Sequence, residues 1–321
     1  MGLRNLADCR TLLWVGLAIA LVSLQYARID WVPFLSPISC YLAIACGVIA
    51  HNHNHRATFH GRRLNNAFGH VLTVFYGYPT MMWIPTHNLN HHRLVNREGD
   101  ATITWRYTNK HNAAVAGTYP FVSAYFQSEL VQRFVSSARA KNRHLFGRIL
   151  FQYAVWIVAY ASMLFLGWYL YHETKIGLGF YVWFFSLVLP AICSISLIMV
   201  FNYIQHVHAD AWSKHNHSRN FIGPVFNFLF FNNGYHTAHH EHPGLHWSQL
   251  PAAHAKLADD INPQLNERSV CWFFFRQYVL AFFFPSLGTT QVGSSPSEPQ
   301  GGVDSVACTV DLSNDVSCSM D

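Results

Sequence analysis

Histidines at ligand spacing gather at three places in this chain. His236, His239 and His240 stand at i, i+3 and i+4, so in a helix all three imidazoles leave one face about 5–6 Å apart. His51, His53 and His55 follow one apolar run, and His87, His91 and His92 follow another. His206 comes four residues after Asn202, at the mouth of a further apolar run. Neutral imidazole is the commonest protein ligand for redox-active iron, and imidazoles converging on one point have little other use. The chain holds 21 histidines, and random placement would give roughly 0.09 copies each of H-x-x-H-H and H-x-x-x-H-H. Finding both patterns therefore points to metal. Taking His51 and His55 from the first box, the set is nine imidazoles and one amide, more than one ion holds. Two irons suit that number and leave positions open for O2, whereas zinc usually takes four ligands.

The elements that position these residues belong in a membrane. Hydrophobic residues make up 51%, aromatics 16% and charged residues only 12% of 321, which no ordinary soluble pair of domains matches. Uncharged stretches at about 11–27, 33–50, 149–171 and 178–201 are each about long enough to span, and short connections make them two hairpins. The first is read as a retained helix, since no clean cleavage site follows it. Residues 67–86 are apolar but broken by His70, two glycines and two prolines. A single crossing there would part the first two boxes, so this stretch must lie in the interface or re-enter. Lys and Arg number 2 before the first span, 12 across 51–148 and 5 after 201, against only Arg28 and Lys175 on the other side. That asymmetry places the boxes and both termini in the cytoplasm.

The expected fold is therefore all-α: an integral membrane four-helix bundle with a cytosolic histidine-box cap. Short aromatic segments at 221–231 and 271–285 are expected to be interfacial helices. Residues 1–285 read as a single membrane domain, and 286–321, with five acids and no base, as a disordered tail. The basic residues flank apolar segments and form no stripe, so nucleic acid is not a partner. The seven cysteines are scattered without a C-x-x-C, indicating neither a disulfide framework nor a zinc knuckle.

The chain resembles the membrane fatty-acid desaturase and hydroxylase superfamily, whose signature is three histidine boxes on cytosolic loops of a four-helix bundle. The resemblance covers about residues 34–255 and is most specific at 232–243, Asn-x-x-Tyr-His-x-x-His-His-x-x-Pro. It implies iron ligation by His51 and His55, by His87, His91 and His92, and by His236, His239 and His240. Asn202 and His206 look like the Asn-x-x-x-His of acyl-CoA desaturases, the asparagine reaching iron through a water. In the first box His53 competes with either neighbour as ligand. The implied cofactor is two Fe ions. The implied partners are an acyl-chain substrate, O2, membrane lipid and a separate electron donor of ferredoxin, rubredoxin or cytochrome b5 type. Desaturation is the expected reaction, with hydroxylation or oxidative decarboxylation as the alternative on the same irons.

A histidine-rich metal transporter is the rival of another class. It would need histidines or acids near the bilayer midplane, and 33–50 and 178–201 contain none. Asp100, Glu129, Asp210 and Glu241 are expected to orient ligand imidazoles or to lie solvated. Arg93, Arg97 and Arg106 would receive an anionic head group or form a solvated positive loop.

Overall fold

The computed structural model describes residues 2–174 and 177–297; the rest of the tail, expected to be disordered, lies outside the described residues. Four helices are long and apolar enough to cross a membrane: Asp8–Ala27, Ile29–His55, Arg143–Tyr171 and Leu178–His206. They are the four expected spans, longer because a helix ends where its hydrogen bonds end and not where its apolar run does. α1 (Asp8–Ala27) begins where Asp8 accepts a hydrogen bond from Thr11 Oγ1. α2 (Val32–His55) starts with a proline in its first turn, where no N–H is needed. It runs on through Asn52, His53 and Asn54, so the first box forms its last turn.

Beyond α2, α3 (Arg62–Tyr76) stops at Gly77, whose φ of 91° is the left-handed conformation that glycine adopts without strain. The interrupted stretch 67–86 thus makes a helix and a turn instead of a span. α4 is a π-helical segment, Ile84–His91, continued by one α-turn, His92–Leu94. α5 (Ala113–Lys141) occupies a region that hydropathy leaves blank. α6 (Arg143–Tyr171) is capped by Asn142, whose side chain accepts from the Leu145 N–H. The fourth span comprises α7 (Leu178–Trp183), a π-turn at Phe184–Val188 and α8 (Leu189–His206). Short helices follow: α9 (Pro224–Leu229), α10 (His236–Glu241), α11 (Leu250–Leu257), α12 (Val270–Phe274) with a π-turn at Phe275–Leu280, and α13 (Ala281–Phe283).

The chain forms two compact units, one of residues up to Trp83 with Val135–Ile198, the other of Ile84–Phe134 with the residues from Met199 onward. The first unit is the helix bundle. Val22 and Tyr26 of α1, Val32 of α2, and Val182 and Leu187 of the fourth span share one buried cluster. Because lipid offers no hydrophobic drive between helices, close approach and hydroxyl-to-carbonyl bonds hold them together. Ser36 Oγ donates to Phe185 O at 2.8 Å, Ser194 Oγ to Ala43 O at 2.8 Å and Tyr26 OH to Met163 O at 2.9 Å. Where α6 crosses α7, a Cβ on Gly167 would stand 2.6 Å from the Gly179 carbonyl oxygen. Gly167→Val is therefore expected to cost upwards of about 2 kcal/mol, read as a lower melting temperature and a smaller monodisperse fraction in detergent; an unchanged melt would refute that contact.

In the second unit a two-residue parallel ladder pairs Asn220–Phe221 with Asn266–Glu267. Beside it Arg219, 1% exposed, donates to Gln264 O at 2.7 Å and Val207 O at 3.3 Å, and lies 3.4 Å from Glu267. Residues 286–297, assigned to the tail on composition, lie against this unit: Val292 is buried and its N–H donates to His208 O at 3.0 Å. Val225 and Phe228 of α9, and Trp272, Phe275, Val279, Phe282 and Phe283 of the last helices, are exposed. Such short aromatic faces suit a membrane interface.

Candidate metal centre

The first box lies in the first unit, on the last turn of α2. His51 and His55 face each other edge-on with ring centroids 4.8 Å apart. His53 is turned to other partners: its Nδ1 meets Thr58 Oγ1 at 2.9 Å and its Nε2 meets Asn65 O at 3.2 Å. Both nitrogens are thus committed to fixing the loop after α2.

The other six box histidines and His206 lie in the second unit, where they sort into two groups that cut across the boxes. His87 and His92, five residues apart along π-helical α4, bring their Nε2 atoms to 3.0 Å, and His239 Nε2 lies 3.0 Å from His92 Nε2. His91, one residue from His92, points elsewhere. It joins His206, His236 and His240, and the ligand atoms of these four lie within 4.8 Å of one another. Within that group His236 Nε2 is 3.1 Å from both His206 Nε2 and His240 Nε2. The three imidazoles of α10 leave the helix with ring centroids 4.6–5.8 Å apart, yet their closest nitrogen contacts divide between the two groups. On α10, His240 lies about 40° to one side of His236 and His239 about 60° to the other, and it is the Nε2 of His239 that meets that of His92.

These contacts are what a cation explains. A neutral Nε2 either donates or accepts, so a nitrogen flanked by two others cannot satisfy both. His91 Nε2 is buried and makes no hydrogen bond. A metal–imidazole bond of about 2.1 Å puts right-angle ligand nitrogens about 3.0 Å apart and tetrahedral ones about 3.4 Å apart, and the observed separations match the former. The residues present fit a metal.

The model of the family described as fatty acid desaturase matches residues 29–286. This chain belongs to the fatty acid desaturase family. No curated protein and no solved structure matches it. For a desaturase-family oxidoreductase, the groups around the imidazoles matter as much as the imidazoles, because they fix tautomer and ring direction.

His91 Nδ1 donates to Asp100 Oδ2 at 2.9 Å, and His206 Nδ1 donates to the His217 carbonyl at 3.1 Å, so both rings turn Nε2 inward. Asp100 is fully buried and also accepts from the N–H groups of Asn96 and Thr102 and from Thr102 Oγ1, at 2.7–2.8 Å. Burial pushes its pKa up, but the His91 imidazole and these hydrogen bonds outweigh burial and hold the carboxyl below the usual range. The chain returns Asp100 to His91 through left-handed Val95 and Asn96, with φ of 45° and 63°. Burial first, then the neighbouring imidazoles, keep His240 well below its ordinary pKa and therefore neutral.

Asn202 donates through Nδ2 to Tyr119 OH at 2.9 Å, and Tyr119 OH donates to Thr102 O at 2.6 Å, which ties Asn202 to the support of His91. Glu241 lies 3.6 Å from His217 and 3.9 Å from His215, and Asp210 accepts from the Trp212 N–H. Glu129 pairs with Arg133 on an exposed surface. Arg97 and Arg106 donate to backbone carbonyls, Arg97 to those of Leu94 and Arg93 and Arg106 to those of Asp100 and Ala101. Asn96, Thr102 and Tyr119 carried no signal in the sequence, being ordinary polar residues whose role appears only when the loop folds back.

His111, isolated in sequence, is buried against Tyr203 OH at 2.9 Å and stacks edge-on with His208 at 4.7 Å. Burial, then His208, pulls its pKa down to about 3; burial, then Arg219, pulls that of His208 to about 4. The unfolded chain takes up these protons near pH 6.5 and the folded chain does not. Their contribution to stability is present above about pH 6.5 and falls away below it, at up to about 1.4 kcal/mol per pH unit for His111. Melting temperature is expected to drop between pH 6.5 and 4, less steeply for His111→Phe; equal slopes would refute the assignment.

Proposed function

We propose that this chain is an O2-dependent di-iron fatty-acyl desaturase that introduces a C=C bond into an acyl chain. The observation that carries this reading is the pair of Nε2 groups in the second unit, one of His87, His92 and His239, the other of His91, His206, His236 and His240. His51 and His55 complete the ligand set on their spacing at the end of α2, and Asn202 takes part through a bound water, as the family spacing implies. Iron is favoured over zinc by the number of imidazoles and by nitrogen separations near 3.0 Å.

Iron held by these residues would supply the oxygen activation needed to remove two hydrogens from adjacent carbons. The protein keeps His206 and His240 neutral by burial, holds His91 through Asp100 and His206 through the His217 carbonyl, and must hold the alkyl chain extended against the site. Electrons come from a separate donor of ferredoxin, rubredoxin or cytochrome b5 type, and the Lys and Arg distribution supports a cytoplasmic side for the histidines and both termini. Hydroxylation or oxidative decarboxylation would use the same ligands.

The test is mass spectrometry of lipids and free fatty acids from cells expressing the chain beside a His239→Ala/His240→Ala control. Loss of two hydrogens from an acyl species with the intact chain alone supports desaturation. Gain of one oxygen, or a shortened terminal alkene, moves the enzyme to the alternative reactions, and purified protein without iron would defeat the metal assignment.

A further inference from the structure

Beyond the last helices, residues 289–293 lie as a strap across the turn by which the chain leaves α8. His208, two residues past His206, takes φ of 56° there, a left-handed conformation that costs a residue with a Cβ about 1–3 kcal/mol and persists only where its surroundings fix it. The strap meets three consecutive residues of that turn. Thr289 Oγ1 lies 2.7 Å from His208 Nδ1, the Val292 N–H donates to His208 O at 3.0 Å, and Gln291 Nε2 donates to Ala209 O at 3.0 Å. Gly293, with φ of 64°, lies so close to Asp210 that a Cβ would stand 2.1 Å from its Oδ2. Ala209 and Val292 also share a buried cluster with Ile261 and Leu265.

The strap is itself anchored at both ends. Buried Gln277 accepts from the Thr289 N–H through Oε1 at 2.7 Å and donates through Nε2 to the His111 carbonyl at 3.1 Å; at the far end Asn109 Nδ2 donates to Ser297 Oγ at 2.8 Å. The turn it crosses serves a ligand. His206 is aimed by the His217 carbonyl, 3.1 Å from its Nδ1, so the chain must leave α8, reverse and come back to the same ring. Asp210, against which Gly293 packs, closes that loop by donating its N–H to Asn216 O at 2.9 Å.

We propose that residues 289–293 position His206 from outside the site: by fixing His208, Ala209 and Asp210 they hold the loop that presents the His217 carbonyl to His206 Nδ1. Thr289, Gln291 and Gly293 are positioning residues, acting on a ligand through the chain that orients it. The inference rests on reading His91, His206, His236 and His240 as one metal group. Among the described residues, no hydrogen bond of the strap reaches α4 or α10, which carry His87, His92 and His239. Loss of the strap should therefore act on one group and spare the other.

The test uses the full chain in lipid nanodiscs with three variants. Gly293→Val forces the strap off Asp210, Thr289→Val removes the hydroxyl at nearly constant volume, and Thr289→Ser keeps it. In metal-free protein, nitrogen-15 NMR above the ordinary histidine pKa is expected to show His206 protonated on Nδ1 in the wild type and in Thr289→Ser. Both valine variants are expected to show a mixture of tautomers and faster amide exchange at Val207 and Asp210. Titration with Co(II) is expected to show one of two ions weakened by about 10-fold or more in the valine variants, the other unchanged. Wild-type protein that bound no Co(II) would defeat the metal reading, and the His206 tautomer would still judge the strap. Valine variants that melt lower yet keep the wild-type His206 tautomer would overturn the proposal and leave the strap a purely structural element.

Discussion

His240→Ala is expected to abolish turnover and to lower bound iron from about two ions per chain to about one. The reason is geometric. His240 shares its group with His91, His206 and His236, and their four ligand atoms lie within 4.8 Å of one another. Removing one of four nitrogens should weaken that ion by more than the roughly 100-fold that loss of an outer-shell partner costs. His92 and His239 belong to the other group, so it should keep its ion. The adjacent substitution His239→Ala is expected to do the reverse. Metal analysis with Mössbauer spectroscopy of the iron-57 protein would then find different ions lost from the two variants, and His91→Ala would match His240→Ala. If His239→Ala and His240→Ala lost the same ion, the division of the boxes would be wrong.

Asp100→Asn is expected to lower metal affinity and turnover by about 10- to 100-fold with almost no change in volume. The Asp100 carboxylate accepts four hydrogen bonds, from His91 Nδ1, the Asn96 and Thr102 N–H groups and Thr102 Oγ1. An amide offers one oxygen, and its NH2 would face donors whichever way it turned. At least one buried donor loses its acceptor, at about 1–3 kcal/mol, and His91 loses the charge that fixes its tautomer. Thermal melting and iron titration, read together, separate the two effects. An Asp100→Asn protein that melts lower yet binds iron normally would leave Asp100 a purely structural residue.

Both predictions pass through the second unit, where the electrostatics are one-sided. Burial, then the neighbouring imidazoles, keep His206 and His240 neutral, and Asp100, buried against His91, stays ionised. Such an array would bind a cation at little cost in reorganisation, because burial has already disfavoured protonation of His240.

The spans were legible in the sequence because an uncharged run of about 18 residues is a local property that a bilayer reads directly. So was the clustering of histidines, since spacing along the chain is also local. The helix ends were less so: Asn52, His53 and Asn54 look like loop, yet α2 continues through them and carries His51 and His55 on its last turn. α5 was invisible, having neither an apolar run nor a clear amphipathic pattern to mark it.

Only the tertiary structure decided which imidazoles come together. His91 and His92 are neighbours in the chain and part company in space, because α4 is wound as a π-helix that aligns His87 with His92 and leaves His91 to Asp100. The fate of His53 was decided in the same way, by Thr58 and Asn65 arriving from the next loop. Spacing along a helix says which side chains share a face, but the partners that claim each nitrogen come from distant segments, and only the folded chain brings them there.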